Sequence, residues 1–192
     1  MPAASSLRSR PVILLIAAAL TLSLVLGASY LALHTFRETR GAAVEPVAHP
    51  MTDEQSKVQV LEPARDIVAA GGLKGVSGTY ILMSCQSEAD PPYQGAIYLN
   101  FDVPGVMATP SFFRSIASAM RARGWAEAVA PNRHPGGHAL SKDGVAVLYY
   151  RNDDNSTRGT MQIYGECRNV TDHRRDATGW VDITTALQRR PG

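Results

Sequence analysis

An α+β domain behind a single membrane-spanning helix is what this sequence predicts, and three observations carry the prediction. An uncharged apolar run extends from Pro11 to Leu33. Beyond it the segments follow the order strand, strand, helix, then several strands, which suits two layers: a mostly antiparallel sheet with helices on one face. The two cysteines, Cys85 and Cys167, both lie after the apolar run, as expected of a domain that folds in an oxidising compartment.

The apolar run is long enough, at 1.5 Å per helical residue, to span the hydrocarbon core of a bilayer. It follows a short arm, residues 1–10, that carries Arg8 and Arg10. A cleavable signal peptide has the same basic and apolar parts. Cleavage after Ala28 would place Leu26 where a small residue is needed, so residues 11–33 are expected to stay as a signal anchor. No cysteine stands near the end of the run to take a lipid. Arg37 and Arg40 follow it, so charge asymmetry favours an N-terminus in the cytoplasm only mildly. Residues 34–50, with Gly41, Pro46 and Pro50, read as a flexible linker, and residues 51–192 as one extracytoplasmic domain of ordinary size.

Thr52 with Gln55 three places later makes a capping box, and Val58 and Leu61 follow at helical spacing. Pro63 should kink that helix, whose second part carries Ala64, Ile67 and Val68 and stops at Gly71-Gly72. Strands are expected over Thr79 to Cys85 and Ala96 to Asp102, joined by a polar loop from Gln86 to Gly95. Thr109 is expected to cap a helix with Pro110 in its first turn. Phe113, Ile116, Ala117 and Met120 form its apolar stripe, Gly124 ends it, and Arg114, Arg121 and Arg123 make a solvated face. Trp125 to Ala130 should add a short strand. Lys142-Asp143-Gly144 is a hairpin turn between His138 to Ser141 and Val145 to Arg151. The last clear strand is Thr160 to Cys167, in which Met161 and Ile163 alternate with Gln162 and Tyr164. Asn169 to Asp176 is highly polar, and Trp180 to Leu187 fits either an edge strand or a short helix.

Cys85 and Cys167 each close an alternating apolar segment, which predicts a disulfide between them. Closing a loop of about 83 residues stabilises the folded chain by ~4.5 kcal/mol in the chain-entropy model. Both cysteines end their strands, so the two strands should run parallel if they are neighbours. No CxxC unit is present, which removes the usual thiol–disulfide oxidoreductase. A formal net charge of +2 without a dense basic run argues against nucleic acid.

Candidate chemistry is sparse. Ser77 is out of register with a G-x-S-x-G elbow and precedes a strand rather than a helix. The glycines around Lys74 lack the Gly-Lys-Ser/Thr unit of a phosphate loop. His134 and His138 are four apart, yet Pro135, Gly136 and Gly137 forbid the helix that would let both bind zinc. Asp153, Asp154 and Asn155 lack the alternation of a calcium loop. Asp172, His173 and Asp176 offer an acid–base group in a polar loop. The sequons at Asn155 and Asn169 are chance matches if the host is bacterial. Neither a cofactor nor a metal site is expected. Tyr93, His134 and His138, on Pro/Gly-rich backbone, are the candidate binding loops.

Four stretches resemble a group of mycobacterial and related actinobacterial membrane-anchored exported proteins of unknown function: Thr52-Asp53-Glu54-Gln55, Pro91-Pro92-Tyr93-Gln94-Gly95, Arg123-Gly124-Trp125 and Met161-Gln162-Ile163-Tyr164-Gly165-Glu166-Cys167-Arg168. The resemblance implies the cell envelope as the compartment and brings no activity, cofactor or functional residue. The expectation is a membrane-tethered, non-enzymatic binding or accessory domain with a protein partner in the envelope. Two alternatives stand beside it. One is an accessory subunit packed through its membrane helix, where Ala17, Ala18, Ala19, Gly27 and Ala28 permit close approach. The other is a small exported hydrolase or metal-dependent enzyme built on His134, His138 or Asp172-His173.

Overall fold

The computed structural model describes residues 47–86, 90–105, 108–129, 134, 136–176 and 179–188, together with residues 14–16, 18–21, 23, 25 and 27, which are helical. Among the described residues no helix is long and apolar enough to cross a membrane. The rest of the predicted span, Pro11 to Leu33, lies outside the described residues, as does most of the expected linker. The chain divides into two compact units, Met1–Pro46 and Val47–Gly192, and the second contains all seven strands.

The centre of this second unit is a single sheet: β1 (Ser77–Ser84), β2 (Tyr93–Asp102), β3 (Ala126–Glu127), β4 (His138–Lys142), β5 (Val145–Arg151), β6 (Arg158–Tyr164) and β7 (Val181–Asp182). The spatial order is β3-β4-β5-β6-β2-β1-β7, and every ladder is antiparallel. Both edge strands are two residues long, which leaves little free ladder for pairing with another chain. Three helices, α1 (Asp53–Ala70), α2 (Thr109–Arg121) and α3 (Thr184–Gln188), complete the α+β domain.

Side chains alternate across a strand, so each strand divides its residues between two faces. Tyr80, Ile97, Ile163, Val147 and Leu140 are paired in register across five strands and are all buried. They form one row of the inner face. Val60, Ala64 and Ile67 of α1, Phe113, Ile116 and Met120 of α2, and Leu187 of α3 join them in a single core. All three helices therefore pack on this one face.

The capping box forms as the sequence indicates: the Thr52 hydroxyl accepts from the Gln55 amide at 3.2 Å and the Gln55 side chain accepts from the Thr52 amide at 2.8 Å. The hairpin also forms, with Asp143 and Gly144 both at positive φ (48° and 77°) as a two-residue turn of this hand needs. The helix holding Pro63 runs as one element from Asp53 to Ala70, with Val60, Leu61, Ala64 and Ile67 buried on either side of the proline. Two local expectations are corrected. Thr109 lies inside α2 rather than capping it. Ala108 occupies the cap position, and the Thr109 hydroxyl donates to the Pro104 carbonyl at 3.0 Å. Trp180 to Leu187 is neither strand nor helix alone, since β7 leads directly into α3.

The disulfide between Cys85 and Cys167 is present, with a Cα–Cα separation of 6.1 Å. β1 and β6 do run parallel to each other, but they are not neighbours, because β2 lies between them. Strands two places apart are about 9.5 Å apart. The chain must therefore turn inward beyond both strands before the sulfurs meet, and Cys167 accordingly lies past the end of β6.

Candidate functional site

The outer sheet face carries no helix among the described residues, and its composition is unusual. Alternation places Tyr98 of β2, Gln162 and Tyr164 of β6, and Leu148 and Tyr150 of β5 on this side. The Tyr98 and Tyr164 hydroxyls meet at 2.8 Å, the Tyr164 hydroxyl donates to Gln162 Oε1 at 3.0 Å, and Gln162 Nε2 donates to the Tyr150 hydroxyl at 3.2 Å. Because Tyr164 spends its proton on Gln162, Tyr98 is the donor in the first of these bonds. The result is a directed chain across three strands, at the head of which the Tyr98 oxygen keeps its lone pairs. Burial pushes the Tyr164 phenol well above the ordinary tyrosine value and raises that of Tyr150 as well.

Beside this wall lies a half-open trough of about 460 Å³. Ala139, Ala146 and Leu148 make its floor, and Met83 and Val129 stand toward its ends. Among the described residues no charged side chain lines it. Ala96 and Leu148 are 0% and 6% exposed although they face away from the helices, so the tall tyrosines already shield a thin apolar layer here. Trp180 meets the Tyr98 ring edge to face at 4.9 Å while remaining 52% exposed.

The three residues expected as binding loops are not brought together. His134 belongs to the outer face, stacked on Tyr150 at 3.8 Å and bonded to Asp153 at 3.0 Å. His138 begins β4 on the inner face, stacked on Tyr149 at 5.3 Å and edge-on to Phe113 at 5.9 Å. Burial lowers its pKa, as for a ring used in packing. The two histidines thus lie on opposite faces of the sheet and share no ligand. Tyr93 is not in a loop: it is the first residue of β2, buried, with its ring against His173 at 5.0 Å. Among the described residues no group of His, Cys, Asp and Glu is arranged to hold a metal.

His173 forms a clip rather than a catalytic pair. Its Nε2 meets Asp53 at 3.0 Å, at the start of α1, and its Nδ1 meets Asp176 at 2.5 Å, so both ring nitrogens are occupied. Asn169, fully buried, also donates to Asp53 at 2.7 Å. Asp172 turns away and is gripped by Arg174 at 2.7 Å. Burial disfavours the charged imidazolium, but the bond to Asp176 and the charge and bond of Asp53 together outweigh it and raise the His173 pKa. A raised folded-state value means the clip's stabilisation is fully present below about pH 6.5, the ordinary histidine value, and is lost as pH rises through the raised one. The urea midpoint of the full chain should therefore fall over that interval, and His173→Gln should flatten the dependence. An unchanged pH profile in the variant would remove the clip.

The arginines expected on a solvated face do lie there: Arg121 pairs with Glu127 at 2.6 Å and Arg123 with Asp66 at 3.1 Å, all well exposed. The Asp153 to Asn155 turn is closed by Asn152, whose Oδ1 accepts from the Asp154 and Asn155 amides at 3.0 and 2.9 Å. Sequence reasoning misses Tyr98, Tyr150, Tyr164, Gln162 and Trp180. Period-two alternation assigns Tyr98, Gln162 and Tyr164 to the polar sides of their strands, but nothing local tells that those strands adjoin.

The family model of the putative lipoprotein LppJ matches residues 52–186. The putative lipoprotein LppJ of Mycobacterium tuberculosis (strain ATCC 25618 / H37Rv) is 40% identical over 129 residues, covering 67% of this chain and 67% of the relative. The protein of the same description from Mycobacterium bovis (strain ATCC BAA-935 / AF2122/97) matches to the same extent. No solved structure matches. The family segment contains the outer-face residues, His173 and both cysteines, and it begins after the apolar run.

Proposed function

The chain belongs to the LppJ putative lipoprotein family, and from that membership we propose that it is an exported, membrane-associated binding or accessory protein, non-enzymatic, with its outer sheet face as the working surface. One observation carries the reading. Helices pack on one face of the sheet, whereas the other presents a hydrogen-bonded tyrosine wall, an uncharged trough and a half-exposed Trp180. Aromatic side chains with one apolar and one polar end suit recognition surfaces, where they supply contact area at small entropic cost.

Attachment runs through the apolar run Pro11 to Leu33, held as a single-pass anchor with the domain outside the cytoplasm. In support, both cysteines of the sequence are joined to each other, so neither offers a free thiol for a lipid. Against the hydrolase alternative, His138 packs in the inner layer and His173 has a carboxylate on each nitrogen, while His134 pairs with Asp153 on the outer face.

The test is site-specific photocrosslinking in native membranes. Benzoylphenylalanine in place of Tyr98 should give a discrete adduct, and the same group in place of Ser118, exposed on α2, should give none. Equal labelling at both positions, or none at Tyr98, would refute the outer face as the working surface.

A further inference from the structure

The geometry points to the outer-face trough as a binding site for an uncharged amphiphile of the monoacylglycerol kind, with its acyl chain on the Ala139–Ala146–Leu148 floor and its hydroxyl or ester oxygens against Tyr98 and Gln162. This rests on the outer face being the working surface and adds the chemistry of its occupant.

Four features select that class. Among the described residues the trough has no charged lining side chain, so a carboxylate, phosphate or ammonium group would lose hydration there without a counter-charge from them. Its floor is built from small aliphatic side chains next to tall tyrosines, which makes a channel for a chain rather than a flat plate. The polar wall has the right unused valences. Tyr98 gives its proton to Tyr164, so its oxygen accepts from a ligand hydroxyl, and Gln162 spends one amide proton on Tyr150 and keeps a second to donate to a ligand oxygen.

The fourth feature argues against a saccharide, the other uncharged polar ligand of comparable size. Sugar rings need an open aromatic face to stack on. Here Tyr98 stands edge-on to Tyr164 at 6.0 Å and to Trp180 at 4.9 Å, while His134 covers one face of Tyr150 at 3.8 Å. The two rings that line the trough, Tyr98 and Tyr164, are set against one another, half-exposed Trp180 is not among its lining residues, and hydroxyls are what the trough presents.

The experiment is photolabelling of the full chain in phosphatidylcholine nanodiscs with a diazirine-bearing monoacylglycerol, the labelled peptides being located by mass spectrometry. The expected result is label concentrated between residues 139 and 165, displaced by monoolein and not by oleate or maltose. Ala146→Trp, which fills the trough, should abolish that label. Tyr98→Phe and Gln162→Leu, which preserve bulk, should each weaken monoolein displacement about five-fold, as for one lost hydrogen bond. Melting curves that match the unsubstituted chain would show that all three variants fold. Displacement by maltose would make the site a saccharide site, and equal displacement by oleate would remove the neutrality rule. Either result, or label absent from residues 139–165, overturns the assignment. A Tyr98 crosslink in native membranes together with such a failure would leave the working surface standing and change only its occupant.

Discussion

Serine at both Cys85 and Cys167 should lower the thermal midpoint of the full chain by about 15 °C. The crosslink joins positions 82 apart, and removing it restores to the unfolded chain the entropy of an open loop of that size, ~4.5 kcal/mol. An unfolding entropy of about 2 cal/mol/K per residue converts that loss into the stated shift for a domain of roughly 140 residues. The bridge also has a local task. It closes over the end of β2, where the Cys85 amide donates to the Pro92 carbonyl at 3.0 Å and Tyr93 exchanges backbone bonds with Asn169 at 2.7 and 3.1 Å. The expected first site of fraying in the double variant is therefore the segment from Asn169 to Asp176, which Asn169 and His173 would still fasten to Asp53 of α1. Calorimetry reads the size of the effect, and amide exchange reads its place. Reductant added to the unsubstituted chain should reproduce the shift and leave the double variant unmoved. A midpoint unchanged by either treatment would mean that the cysteines are not paired.

Gly95→Ala is expected to cost about 3 kcal/mol, near the top of the range for overpacking. Gly95 lies where α1 packs directly over β2, against Ser56 and Val60. A Cβ there would land on the Ser56 carbonyl and 3.1 Å from a methyl of Val60. A side chain in the way can change rotamer, but a helix carbonyl moves only with its helix. The methyl must lift α1 from the sheet, and α1 contributes Val60, Ala64 and Ile67 to the core, all 0% exposed. Ser56→Gly should not rescue the variant, because the obstacle is main chain. Gly179→Ala, with open space around it, is the matched control and should stay within about 0.5 kcal/mol of the parent. Urea unfolding of the three variants checks this, and a neutral Gly95→Ala would contradict the placement of α1 against β2.

Of the two, only the disulfide is legible in the sequence, since Gly95 reads there as the end of a loop and its contact with Ser56 is long-range; sequence pattern reaches local contacts best. Thr52 and Gln55 announce the start of α1 because a capping box is a contact between residues three apart, and Asp143-Gly144 announces a hairpin because the turn itself demands positive φ. The stripe through Phe113, Ile116 and Met120 marks the buried side of α2 for a similarly local reason. Pairing between distant segments has no such signature. Tyr98 and Tyr164 are 66 residues apart and become partners only because β6 inserts between β2 and β5. The polar sides of β2 and β6 are legible as polar, but their union into one tyrosine wall is not. Tyr93 escapes for a different reason: Pro91-Pro92 reads as loop, and β2 begins on the very next residue. His173 reads as one of several charges in a polar loop until the fold sets Asp53, 120 residues away in sequence, against its Nε2.

In the native membrane the outer face of the sheet should be covered by a partner or ligand. Hydroxyl-radical footprinting tests this most directly, with oxidation of Tyr98, Tyr164 and Trp180 compared between native membranes and the purified full chain. Val58, 44% exposed on α1, serves as the reference on the helix side. The predicted result is oxidation several-fold slower at the three aromatic residues in membranes, with Val58 unchanged. Equal rates at all three in both preparations would mean that the face is bare where the protein works, and would contradict its role as the working surface.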